Sequence, residues 1–154
     1  MLFFHVAISL VALAAGVFAA YEVVTGRRLD GWVAFFLATT VLTSVTGFLL
    51  PADRILPSHV FAVISLVALA LAIVARYPRR LAGGWWRIYV VTAMLSFYLN
   101  LFVAIVQAFQ KLPVLTVLAP TQSEPPFALA QGAAFVLFLG LCVAGVRARR
   151  AAAI

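Results

Sequence analysis

The stretch from Trp85 to Gln110, WWRIYVVTAMLSFYLNLFVAIVQAFQ, decides the fold. Its 26 residues include one charge, Arg87, and neither glycine nor proline. As an α-helix it would be about 39 Å long at 1.5 Å per residue, more than the roughly 30 Å hydrocarbon core of a bilayer. In lipid, a single segment satisfies all its backbone groups only as a helix. The stretch therefore reads as a membrane span.

Working outward, four further apolar runs of similar length appear at residues 2–24, 32–50, 58–76 and 127–146. All seven prolines fall between the runs or at their edges, so the helix interiors are free of breakers. Gly26 and Gly31 flank the first turn, and Gly83 and Gly84 the third. The expectation is an all-α integral membrane protein with five transmembrane helices. A proline-rich loop, residues 112–126, joins the last two and is expected to lie as a connector or lid on the outer surface.

Composition agrees. Of 154 residues 66% are hydrophobic and 10% charged, against about half and a quarter in soluble domains. The formal charge of +7 would suggest nucleic acid in a soluble chain. Here the basic residues form short groups between apolar runs, as topology signals do, which argues against nucleic-acid binding. The lone cysteine, Cys142, lies in an apolar run and reads as packing.

Nine basic residues fall on one side: Arg27, Arg28, Arg76, Arg79, Arg80, Arg87, Arg147, Arg149 and Arg150. Only Arg54 and Lys111 fall on the other. Because positive residues are retained in the cytoplasm, the N-terminus is expected outside and the C-terminus inside. Trp32, Trp85 and Trp86 adjoin the inner turns, where indole rings favour the headgroup level. The first run is expected to be retained, since no Lys or Arg precedes it and it exceeds the length of a signal-peptide core. With Cys142 replaced by Ala, Arg28→Cys and Arg79→Cys should resist a membrane-impermeant maleimide in intact cells, while Ser123→Cys should label. The opposite pattern would invert the topology.

An internal repeat is present. Ile8-Ser9-Leu10-Val11-Ala12-Leu13-Ala14 recurs as Ile64-Ser65-Leu66-Val67-Ala68-Leu69-Ala70, and each copy is followed by Arg-Arg-Leu, a Gly and Trp. Trp32, Thr39, Thr43 and Gly47 then align at one offset with Trp85, Thr92, Ser96 and Asn100. Two related helical hairpins in parallel orientation, plus a C-terminal helix, are expected.

Polar residues inside spans are costly and so mark cavities or seams. Tyr89, Thr92, Ser96, Asn100 and Gln107 are spaced by three, four, four and seven residues, which sets them on one helical stripe. Gln131 of the last run lies at a depth like that of Gln107. His5 and His59 each stand near the outer start of a repeat's first helix. Two imidazoles on facing helices could ligate a haem iron, although each copy has one His and the two miss registry by about two residues. Any other metal would need a third ligand, such as Asp53 or Glu124. Candidate ligand-binding residues are thus Asn100, Gln107, Gln131, Ser96, His5 and His59. Thr39, Thr40, Thr43, Ser44 and Thr46 of the second run read as packing, and Glu22 as an interfacial ion pair with Arg27 and Arg28.

Two segments carry a resemblance: Phe36-Leu37-Ala38-Thr39-Thr40-Val41-Leu42-Thr43-Ser44-Val45-Thr46-Gly47-Phe48, and Ala119 to Gly132 with its Phe127-Ala128-Leu129-Ala130-Gln131-Gly132. In these the chain resembles a family of small proteobacterial membrane proteins with no assigned activity. The resemblance implies a bacterial inner-membrane location and transfers no catalytic residue. The sequence lacks GxxxxGK[ST], HExxH, an acidic metal cluster and an arginine-rich voltage-sensor helix. Two functions remain in view. One is non-enzymatic binding of a small amphiphile (quinone, lipid or haem) in an outer-half polar pocket. The other is an accessory subunit whose seams take partner helices or a second copy.

Overall fold

The computed structural model describes residues 2–49 and 57–152. Six helices follow in order: α1 (Leu2–Thr25), α2 (Asp30–Phe48), α3 (Pro57–Arg76), α4 (Trp85–Lys111), α5 (Pro113–Leu118) and α6 (Pro125–Ala152). All but α5 are long and apolar enough to cross a membrane. The protein is thus an all-α, multi-pass membrane protein by helix length and hydropathy. Pro51, Asp53 and Arg54 lie outside the described residues, as do the side chains of Arg149 and Arg150.

Two differences from the sequence reading concern the ends of elements. The segment 112–126 contains a short helix, α5, which packs on α4. Pro113 occupies its first turn, where a missing N–H costs nothing. Helix α6 continues past residue 146, through the C-terminal arginines, to Ala152.

The long helices form a ring in which α1 packs on α2, α2 on α3, α3 on α4, α4 on α6, and α6 back on α1; α4 also reaches α1 and α2. Helices α1 and α3 run from the end that carries His5 and His59 to the end that carries Arg27, Arg28, Arg79 and Arg80. These are called here the histidine end and the arginine-rich end.

At the arginine-rich end the connections are tight. Gly26, at φ 70°, stops α1 with a left-handed cap whose N–H donates to the Glu22 carbonyl at 2.8 Å. Between α3 and α4, Arg80 and Leu81 both take positive φ, which is costly for residues with a Cβ. Burial of the Leu81 side chain in the core offsets that cost, and its N–H closes onto the Ala75 carbonyl at 2.9 Å.

The core fills the arginine-rich half. Ala15, Ala19, Phe36, Leu69, Ala72, Tyr89, Met94 and Phe97 form one cluster, joined from α6 by Phe138. Small residues set the spacing. The Phe97 ring lies so close to Gly16 that a Cβ there would sit 2.6 Å from it. Gly145 likewise lets α6 close on Val23 and Val90, and its carbonyl accepts from Trp86 Nε1 at 2.9 Å. Trp86 is therefore a buried linker, where the sequence suggested an interfacial anchor like Trp32, whose ring is half-exposed and stacked on Phe18.

A larger correction concerns Glu22. Its carboxylate is buried and pairs with Arg76 of α3, 54 residues away, instead of with Arg27 or Arg28. Arg76 is also buried and reaches Asp30 Oδ1 at 2.7 Å. Tyr89 Oη donates to Glu22 Oε1 at 3.3 Å, and the Leu29 N–H to Oε2 at 2.5 Å. One network thus ties α1, α2, α3 and α4 together. Proximity in sequence pointed to the wrong arginines because Arg27 and Arg28 lie past the end of α1 and are exposed.

Candidate functional site: a cavity at the histidine end

Towards the histidine end, the first four helices part around a cavity of about 720 Å³, within the range of about 300–1,000 Å³ usual for small-molecule sites. Helix α1 contributes His5, Ser9 and apolar residues between Leu2 and Leu13; α2 contributes Thr43, Ser44 and Gly47. From α3 come His59, Phe61 and Ser65, and from α4 Asn100, Gln107 and Lys111 with intervening valine and alanine. The wall is mostly apolar, with polar groups at two levels. Lys111 and Gln107 are near the end of α4, whereas Asn100 lies seven residues below Gln107, about 10 Å deeper along the helix.

Each polar side chain has a local reason for its pose. Thr46 Oγ1 donates back to the Leu42 carbonyl at 2.7 Å, the usual outlet for a hydroxyl inside a helix. That oxygen lies 2.9 Å from His5 Nδ1 and so fixes the imidazole against α2. The ring lies beside Gly47, with His5 Cε1 at ordinary contact distance, 3.5 Å, from where a Cβ there would sit. His59 stacks on Phe48, ring centroids 5.6 Å apart. Ser44 Oγ donates to Ser65 Oγ at 3.3 Å, closing the α2–α3 seam at the cavity floor.

Two buried polar atoms of the lining have no hydrogen-bond partner, Asn100 Nδ2 and Thr43 Oγ1. Leaving such a group unmatched costs about 1–3 kcal/mol. Both belong to residues that face the cavity.

Of the six residues singled out from sequence, His5, His59, Asn100 and Gln107 line this cavity. Ser96 and Gln131 do not. Ser96 is buried one turn below Asn100, where its hydroxyl donates to Thr92 O at 3.0 Å and also approaches Ser65 O. Gln131 Nε2 donates to Phe102 O at 3.2 Å, and its Oε1 is a further buried atom without a partner. Ser9, Thr43, Ser44, Ser65 and Lys111 also line the cavity and were not singled out. For Lys111 the signal was its place at the end of the polar stripe. Residues 113–124 contribute nothing to the lining; Gln122 is instead tied to the Val106 carbonyl at 3.1 Å, and Thr116 to Phe109 O at 2.9 Å.

Among the described residues no group of three or more His, Cys, Asp or Glu side chains is placed to hold a metal ion. Glu124 is occupied in a turn, where its carboxylate accepts from the Thr121 hydroxyl at 2.8 Å and the Thr121 N–H at 3.1 Å. Compared with known proteins, the chain matches no family model, no curated protein and no solved structure.

Proposed function

We propose that the protein is a non-enzymatic binder of a small amphiphile, held in the cavity at the histidine end and drawn from the bilayer. The observation that carries this reading is Asn100, an amide that lines a ligand-sized space and whose buried Nδ2 has no hydrogen-bond partner. An amide kept only for packing would find a carbonyl, as Gln131 Nε2 does. A route from lipid is supported by Val6 and Leu10 of α1, which line the cavity and are 41% and 59% exposed. The positive-inside bias supports an outer-half position for this cavity, and the resemblance noted above supports a bacterial inner membrane as its setting.

The parallel repeat belongs to the same proposal. Of the eight buried positions of α2, all but Thr39 have a buried counterpart 53 residues later in α4. At the cavity the correspondence breaks: Gly47 has no side chain, whereas its counterpart Asn100 carries the amide. One hairpin supplies space and the other a hydrogen-bonding group.

Organic extracts of the detergent-purified protein should contain an amphiphile close to one per chain by mass spectrometry. Asn100→Leu should insert normally, since lipid accepts leucine, and its extract should be depleted about tenfold, as expected for one lost hydrogen bond in a closed site. Absorption spectra of the same material, reduced and oxidised, separate a haem from colourless occupants. Extracts with no amphiphile, or an Asn100→Leu protein equally loaded and more heat-stable, would sink the reading in favour of an accessory subunit.

A further inference from the structure

The hydrogen-bonding polarity of the cavity narrows its occupant, an inference that rests on the binding role just proposed. Thr46 Oγ1 has one proton, and it is committed to the backbone: the carbonyl of Leu42 lies 2.7 Å away and that of Thr43 3.2 Å. With its proton there, the oxygen accepts on the side of His5. The proton of the 2.9 Å contact is then assigned to His5 Nδ1. In the neutral imidazole this leaves Nε2 with a bare lone pair. The carbon beside it, Cε1, is the atom that faces Gly47, the lining position where α2 presents no side chain.

The cavity thus offers an acceptor at His5; Asn100 also belongs to the lining, but its Nδ2 is turned away from the open space. Phe61 and His59 add aromatic rings to the lining, a composition suited to an aromatic head. The one formal charge in the lining, Lys111, is exposed at the rim, and its flexible stem lets the ammonium stay with water or headgroups. A head that is itself anionic would set its oxygen lone pairs against that of Nε2.

We propose that the occupant has an uncharged head with a hydroxyl that donates to His5 Nε2. A dihydroxy-aromatic ring of the quinol type meets that demand. Its oxidised quinone, which carries only acceptors, does not. The site discriminates reduced from oxidised ring by the tautomer of one histidine, and Thr46 is the positioning residue that sets it.

Three probes test this with the full-length protein in detergent under anaerobic conditions: a decyl-substituted benzoquinol, its quinone, and its dimethyl ether. The quinol should bind about tenfold more tightly than either of the others, one hydrogen bond being at stake. Thr46→Val, of similar shape, releases the tautomer so that Nε2–H can form and donate to a quinone carbonyl. The quinol-to-quinone affinity ratio should then fall towards one, while Thr46→Ser should preserve it. Equal affinities in the unmodified protein would overturn the inference, as would tighter binding of a long-chain carboxylate, and both outcomes leave the broader amphiphile reading standing. Failure of all three probes to bind also overturns it. The broader reading falls separately, only if the purified protein yields no amphiphile on extraction.

Discussion

Replacing Arg76 by methionine is expected to cost about 3–5 kcal/mol of stability, the usual consequence of stranding one half of a buried ion pair. Glu22 and Arg76 are each 1% exposed, so neither charge can turn to water when its partner is removed. The Glu22 carboxylate would keep only the Leu29 N–H and the Tyr89 hydroxyl. The guanidinium also lies 5.3 Å from the centre of the Tyr89 ring, and that cation–π contact would go with it. Thermal unfolding in a fixed detergent measures the loss. Glu22→Leu combined with Arg76→Met should recover most of it, because replacing both charges by apolar groups is often neutral or better. A single-variant loss below about 1 kcal/mol would instead be the behaviour of a solvent-exposed pair, and the network would then not hold the four helices together.

The second large effect is expected at Gly145. A Cβ at this position would overlap Val23 Cγ1 and lie 3.1 Å from Val90 Cγ1 and 3.2 Å from the Val23 carbonyl oxygen. Valine in a helix has little rotamer freedom with which to yield, and the carbonyl has none. Gly145→Leu should therefore push α6 away from α1 and α4 and break the hydrogen bond from Trp86. Overpacking of this kind costs about 3 kcal/mol at the upper end of its common range. Cys142, half-buried one turn away, reports the displacement directly: its reaction with a lipid-soluble maleimide should quicken in the variant. Gly140, with open space where its Cβ would be, is the control. Gly140→Leu should change stability by no more than about 0.5 kcal/mol, and equal losses at both glycines would show that the seam is not specific.

The helices were legible because hydropathy alone marks a span. The short helix α5 was not, since PVLTVL between two prolines is too brief for any period to show. The polar stripe on α4 was read correctly as one face, yet its members part company. Thr92 and Ser96 return their hydroxyls to carbonyls four residues back, Tyr89 turns to Glu22, and Asn100 and Gln107, whose amides are longer, line the cavity. Spacing tells which residues share a face and says little about which of them bond to their own backbone. The Glu22–Arg76 pair was hidden for a related reason: in a folded bundle the nearest opposite charge belongs to another helix, and nothing local in the sequence announces it.

The contrast between the two halves of the bundle has an electrical consequence. Phe36, Leu69, Tyr89 and Met94, none more than 2% exposed, stop the interior beneath the cavity, and the ion pair closes the layer below them. The cavity is thus closed beneath by packed side chains. A membrane potential acts on charge, at about 2.3 kcal/mol per elementary charge for each 100 mV across the whole membrane. An uncharged guest in the cavity gains or loses nothing from that voltage. On the binding role proposed above, occupancy by such a guest would not follow the state of charge of the cell.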